Sequence, residues 1–178
     1  MELAVRVGLR LRELRGRRGL SLSELARRSG VGKGTLSELE SGRRNPTLET
    51  LYALTTALGE PLGSVLGPVA ERSEISGRTV DAVLIDRFED GAATTETYRL
   101  RIRAGAVQES PPHVPGTTER LIVLSGTARA GAASAPLELG PGEHGCWTSD
   151  VPHVYSAPHG DVEAVLVVRY PVPAPPAS

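Results

Sequence analysis

Residues 21–58 read SLSELARRSGVGKGTLSELESGRRNPTLETLYALTTAL, and no other stretch limits the fold so tightly. Helix starts and stops are written into it in order. Ser21 and Glu24 frame a capping box, in which the serine accepts from the helix and the glutamate reaches back. Leu22, Leu25 and Ala26 supply the inward stripe of that helix. Gly30 suits a left-handed C-cap. The turn SGVG then leads into KGTLSELES, with Val31, Leu36 and Leu39 facing inward and Gly42 as its stop. Asn45-Pro46-Thr47 halts the chain and caps a further helix, with Leu48, Leu51, Leu54 and Leu58 on one side. Upstream, Leu3, Val7, Leu11 and Leu14 step at helical spacing along one face. Four or five short helices fit residues 1–66.

That run, extended over about residues 8–66, resembles the Cro/repressor-like (XRE) helix-turn-helix family. The resemblance implies double-stranded DNA as partner, with the third helix in the major groove and the second across the backbone. Carried over by position, the DNA-contacting residues are Ser23, Lys33, Gly34, Thr35, Ser37, Glu38, Arg43, Arg44 and Asn45. Short hydroxyl and cationic side chains at the start and outer face of the third helix can reach base edges or phosphates. Arg43, Arg44 and Asn45 suit phosphate contacts. Two features depart from the family pattern. Gly32 and Gly34 flank Lys33, and each weakens a helix start by roughly 1 kcal/mol relative to alanine, so the third helix is expected to firm up on DNA. Glu38 sets a carboxylate where phosphate would repel it, although a cytosine amino group could donate to it.

Charge divides in the same place. Residues 1–60 hold eleven Lys+Arg against seven Asp+Glu, and the remainder nine against fourteen, so a net −1 conceals a basic first third. That asymmetry favours a polyanion partner for the first part alone. The single cysteine, Cys146, excludes an internal disulfide framework. No apolar run of membrane-spanning length and no apolar signal core stand in the chain, so no membrane is expected and the cytoplasm is the expected location.

Past about residue 75 the texture changes to short β-rich runs punctuated by Gly and Pro: TVDAVLID, ETYRLRIRAG, ERLIVLSG and DVEAVLVVRY. Residues 67–77 read as a linker and 172–178 as a flexible tail. Regular short strands suggest an antiparallel sandwich or barrel. Residues 78–171 resemble the cupin family of jelly-roll barrels. The first cupin motif appears as Gly105, a longer spacer, His113-Val114-Pro115, Glu119 and Gly126; the second keeps the spacing of Gly142 and His153, with Thr148, Asp150 and Ala157 where its proline, glycine and asparagine stand. The expected fold class is therefore two domains: an all-α helix-turn-helix head and an all-β jelly-roll cupin barrel.

In metal-binding cupins two motif-1 histidines, the glutamate and the motif-2 histidine hold the ion. This chain keeps His113, Glu119 and His153 and has Pro115 at the fourth place. Proline offers no donor atom in its side chain. The expected reading is a metal-free effector pocket of His113, Glu119, Trp147, His153 and Tyr155, with no cofactor. If a divalent metal is bound, His113, Glu119 and His153 are its ligands. Strand alternation puts His153 with Tyr155, and Glu119 with Leu121 and Val123, on one side of their strands. Together the resemblances imply a transcriptional regulator, homodimeric through its cupin, that senses a small molecule. The alternative is a cupin enzyme retaining a helix-turn-helix domain, either a metal-dependent oxygenase or epoxidase or an isomerase. In such iron-dependent epoxidases the position of Pro115 carries a ligand, which weighs against that chemistry.

Overall fold

The computed structural model describes residues 3–67 and 74–172. Five helices come first: α1 (Leu3–Arg17), α2 (Leu22–Ser29), α3 (Lys33–Glu40), α4 (Leu48–Leu58) and α5 (Gly63–Leu66). The expected punctuation is mostly in place. Ser21 is extended and accepts from the Glu24 amide at 3.1 Å, while Gly30 closes α2 with φ of 69°. The reciprocal half of the capping box is missing. Glu24 turns outward to pair with Arg27 and Arg28 at 2.8 and 2.7 Å, because two cations lie within its reach one turn on. Thr47 caps α4 by accepting from the Thr50 amide. α3 is helical from Lys33 onward although Gly32 offers no side-chain cap. Burial of Leu36 and Leu39 offsets the poor start.

The core of the head is leucine. Val7, Leu11 and Leu14 of α1 meet Leu25, Leu36, Leu39, Leu48, Leu51, Leu54 and Leu58. A bidentate pair locks the ends of α1 and α3: Arg15 Nε and Nη2 donate to the two Glu40 oxygens at 2.6 and 2.8 Å. α1 crosses α3 so closely that a Cβ on Gly8 would sit inside the van der Waals radius of the Leu39 carbonyl oxygen. Gly8→Ala should therefore lower stability by about 1–3 kcal/mol through overpacking, despite alanine's better helix propensity. Thermal denaturation measures this, and a gain in melting temperature would contradict the close crossing.

Ten strands follow: β1 (Glu74–Ser76), β2 (Val80–Glu89), β3 (Ala93–Ile102), β4 (Val107–Ser110), β5 (Thr118–Ser125), β6 (Ala128–Ala132), β7 (Leu137–Leu139), β8 (His144–Thr148), β9 (His153–Ser156) and β10 (Val162–Pro171). They form two antiparallel sheets, ordered β1-β2-β3-β10-β5-β8 and β4-β9-β6-β7. Among the described residues the sheets face one another as a jelly-roll sandwich and do not hydrogen-bond into one closed barrel. The expected linker, 67–77, is shorter than read: its end is β1, which pairs with β2 through Ile75 opposite Ala82. A three-residue strand is too short for its alternation to be recognised before its partner is known. Residues 68–73, and the tail from 173, lie outside the described residues.

Head and sandwich are not beads on a string. Their apolar side chains form one continuous cluster, in which Leu62, Val65 and Leu66 of the α5 region join Leu84 and Leu100. Polar contacts pin the junction. Gly63 N donates to Glu96 Oε1 at 2.9 Å, and Arg78 N donates to Glu49 Oε1 at 2.7 Å.

Candidate functional site

The residues expected to contact DNA are accessible on and around α3. Ser23, Lys33, Gly34, Glu38, Arg43, Arg44 and Asn45 are exposed, and Thr35 and Ser37 are half-buried on the same helix. The uncapped start of α3 leaves amide groups free for a phosphate. Glu38 does not stand alone: its carboxylate takes a hydrogen bond from Arg44 Nη1 at 3.1 Å. Both side chains are about half exposed, so the pair is screened and is worth little to stability.

The second cluster lies inside the sandwich, between its sheets. Glu119 is the second residue of β5, Trp147 stands directly opposite it on β8, and His153 and Tyr155 alternate inward on β9 of the other sheet. His113 comes from the loop before β5. That loop is stitched to the loop before β9: His113 N donates to the Ser149 carbonyl at 2.8 Å, and Ser149 N to the Thr117 carbonyl at 2.9 Å. All five expected pocket residues are buried together. Pro115 is not part of this cluster. It is exposed on the turn that ends at Gly116, whose amide donates to Asp150 Oδ2 at 3.0 Å. The fourth ligand place is thus swung out to solvent by a turn.

Glu119 is the hub. Its Oε1 accepts from His113 Nε2 at 3.0 Å and lies 3.5 Å from His153 Nε2. Its Oε2 accepts from Trp147 Nε1 at 3.1 Å and from the Tyr155 hydroxyl in a short bond. Burial alone would raise the pKa of this carboxyl. The His113 hydrogen bond, the two histidines' charges and the Tyr155 hydroxyl outweigh burial and hold it below the usual carboxylate range. His153 has a defined tautomer. The Val151 carbonyl can only accept, so Nδ1 at 3.0 Å carries the hydrogen and Nε2 presents a lone pair when the ring is neutral. His113, Glu119 and His153 place one donor atom each within 4.8 Å of one another.

Two residues of this interior escape a reading by motif. Tyr52 of α4 stacks on His113, with ring centroids 5.0 Å apart and planes 27° apart. It is the only aromatic residue of positions 1–66, and a ring beside a leucine stripe was the one signal available. Glu96 of β3 is fully buried and accepts from Gly63 N and, at 2.5 Å, from the Tyr98 hydroxyl. Burial pushes its pKa up despite those donors and nearby Arg87. Of six aromatic residues in the chain, Tyr52, Tyr98, Trp147, Tyr155 and Tyr170 are buried and only Phe88 is exposed. The aromatic content, low as it is, has been spent on this interior. His144, Cys146 and His159 are exposed and take no part.

Comparison with known proteins bears on the family and the fold. The helix-turn-helix family model HTH_3 matches residues 11–65. The chain is 31% identical over 148 residues to the HTH-type transcriptional regulator SutR of Escherichia coli (strain K12), spanning 82% of this chain and 83% of that protein. A match of that length cannot be confined to the helices. The uncharacterized HTH-type transcriptional regulator y4dJ of Sinorhizobium fredii (strain NBRC 101917 / NGR234) is 42% identical over 71 residues, 40% of this chain and 92% of its own length. The crystal structure of an HTH_3 family transcriptional regulator from Vibrio cholerae superposes with a TM-score of 0.83 and 27% identity, covering 96% of this chain and 98% of that one. Head, jelly-roll sandwich and their order are shared along the whole length, and the chain belongs to the helix-turn-helix family of transcriptional regulators.

Proposed function

We propose that this regulator reads an operator through α3 and the turn at Arg43, Arg44 and Asn45, and senses a small polar molecule at His113, Glu119 and His153 without catalysing a reaction. The observation that carries the sensor reading is the state of Glu119. Both of its oxygens are occupied, and its pKa is held low. A carboxylate so saturated is a weak general base, but it is a sharp detector, because a ligand that takes one of its donors disturbs the others. One small head buries little DNA surface, so we place two heads on one operator in a cytoplasmic homodimer, with half-sites about 34 Å apart.

A divalent metal is the second reading, and the donor set fits it. His113, Glu119 and His153 each offer one ligand atom, all within 4.8 Å of one another. Two imidazoles and a carboxylate suit Fe(II), Mn(II) or Zn(II). Such an ion would be held by His113, Glu119 and His153 and would supply Lewis acidity to an oxygen-bearing ligand. Tyr155 and Trp147 would keep the carboxylate oriented, and Tyr52 would hold the His113 ring.

One preparation tests both readings. Selection from a random duplex library with the full-length protein should return a two-fold symmetric site, bound more weakly as salt rises. Metal analysis of the same untagged protein should find iron, manganese and zinc well below one per chain. A full metal load would replace the metal-free reading, and failure to enrich any sequence would overturn the operator reading.

A further inference from the structure

The sensing cluster is closed by the head as well as by the sandwich. Tyr52 belongs to α4, whose Leu48, Leu51, Leu54 and Leu58 are buried in the leucine core shared with α2 and α3. Its ring is buried too, yet it lies against His113 of the sandwich. On its other neighbours, the His113 imidazole meets His153 edge-on at 4.9 Å and Tyr170 at 6.3 Å. Its main chain is fixed to Ser149. A ligand that competes with Glu119 for the Nε2 hydrogen bond acts on a ring stacked against Tyr52.

We infer that the effector site is shared between the two domains: Tyr52 is one of its walls, and its stack on His113 is the contact through which occupancy reaches the DNA-binding head. This rests on the effector reading above and adds the route by which it acts. A path of direct contacts runs Trp147, Glu119, His113, Tyr52, α4. Two other polar contacts at the junction, Gly63 on Glu96 and Arg78 on Glu49, do not use His113, Glu119 or His153. Tyr52 joins the head to the cluster by a direct ring stack on His113.

Coupling between sites is reciprocal, so the effector need not be known to test it. Trp147 is the only tryptophan of the chain and donates to Glu119. Its emission, excited selectively, reports on the cluster while labelled duplex from the selection is titrated in. Anisotropy of the duplex measures binding in the same cuvette. The wild-type emission should change in step with DNA occupancy. Tyr52→Phe keeps the ring and should keep the change. Tyr52→Leu fills the space without a ring and should lose roughly half or more of it at its own saturation, because a signal requires a contact that differs between the two states. Bound DNA with unaltered wild-type emission would overturn the inference, as would a Tyr52→Leu response equal to wild type. If Tyr52→Leu does not fold, the wild-type titration still decides. Absence of an anisotropy rise would strike the operator reading instead, which keeps the two failures apart.

Discussion

Glu119→Ala is expected to lower the unfolding free energy by about 3–5 kcal/mol, the range for breaking a buried charged network from one side. The substitution strands three buried donors at once: His113 Nε2, Trp147 Nε1 and the Tyr155 hydroxyl. Glu96, the other buried carboxylate of this interior, is already engaged by Gly63 and Tyr98. Glu119→Gln keeps the shape and one acceptor oxygen, so it should lose less. The pH dependence separates charge from shape. The folded carboxyl sits below its usual range once the histidines and Tyr155 have outweighed burial. Its stabilisation is thus fully present above the unfolded value of about 4.3 and drains away as pH falls through the folded value. The gap between wild type and Glu119→Gln should narrow on acidification. Chemical denaturation at several pH values measures it, and a gap that widened in acid would show that Glu119 is not held as a carboxylate.

Arg43→Ala with Arg44→Ala should weaken operator binding by about 10- to 100-fold and reduce the slope of log affinity against log salt by nearly two. Both arginines are exposed beyond the end of α3, where the proposed phosphate contacts would position that helix. The structure makes the two unequal. Arg44 is engaged by Glu38, whereas Arg43 is exposed with no side-chain hydrogen bond or ion pair among the described residues. Glu38→Gln should therefore strengthen binding modestly, by freeing Arg44 and removing a carboxylate from the phosphate's neighbourhood. Anisotropy titrations across a salt series resolve slope from affinity. A double variant with an unchanged slope would remove these arginines from the interface.

Much of this was legible in the residues themselves. The helical head was written in local signals: Ser21 and Thr47 as caps, Gly30 as stop, and leucines at helical spacing all act within a few residues of their own position. The long strands were legible for the same reason, as were the inward faces of Glu119, Leu121 and Val123 and of His153 and Tyr155, because strand alternation has a fixed period. β1 was missed because three residues carry no period. The outward turn of Glu24 was missed because a capping box and a pair of nearby arginines compete for one carboxylate, and only geometry decides between them.

What the chain determined alone was therefore local: which segments are helix or strand, which side of each is buried, and which residues carry chemistry. Tertiary structure decided what meets what. It turned Pro115 out to solvent, set Trp147 across β5 and β8 from Glu119, buried Glu96 under the start of α5, and laid Tyr52 of the head on His113 of the sandwich. These contacts join residues far apart in the chain and on different elements. No periodicity or spacing encodes such a meeting, because it depends on how whole elements pack, and packing is settled only when every apolar face has found its partner.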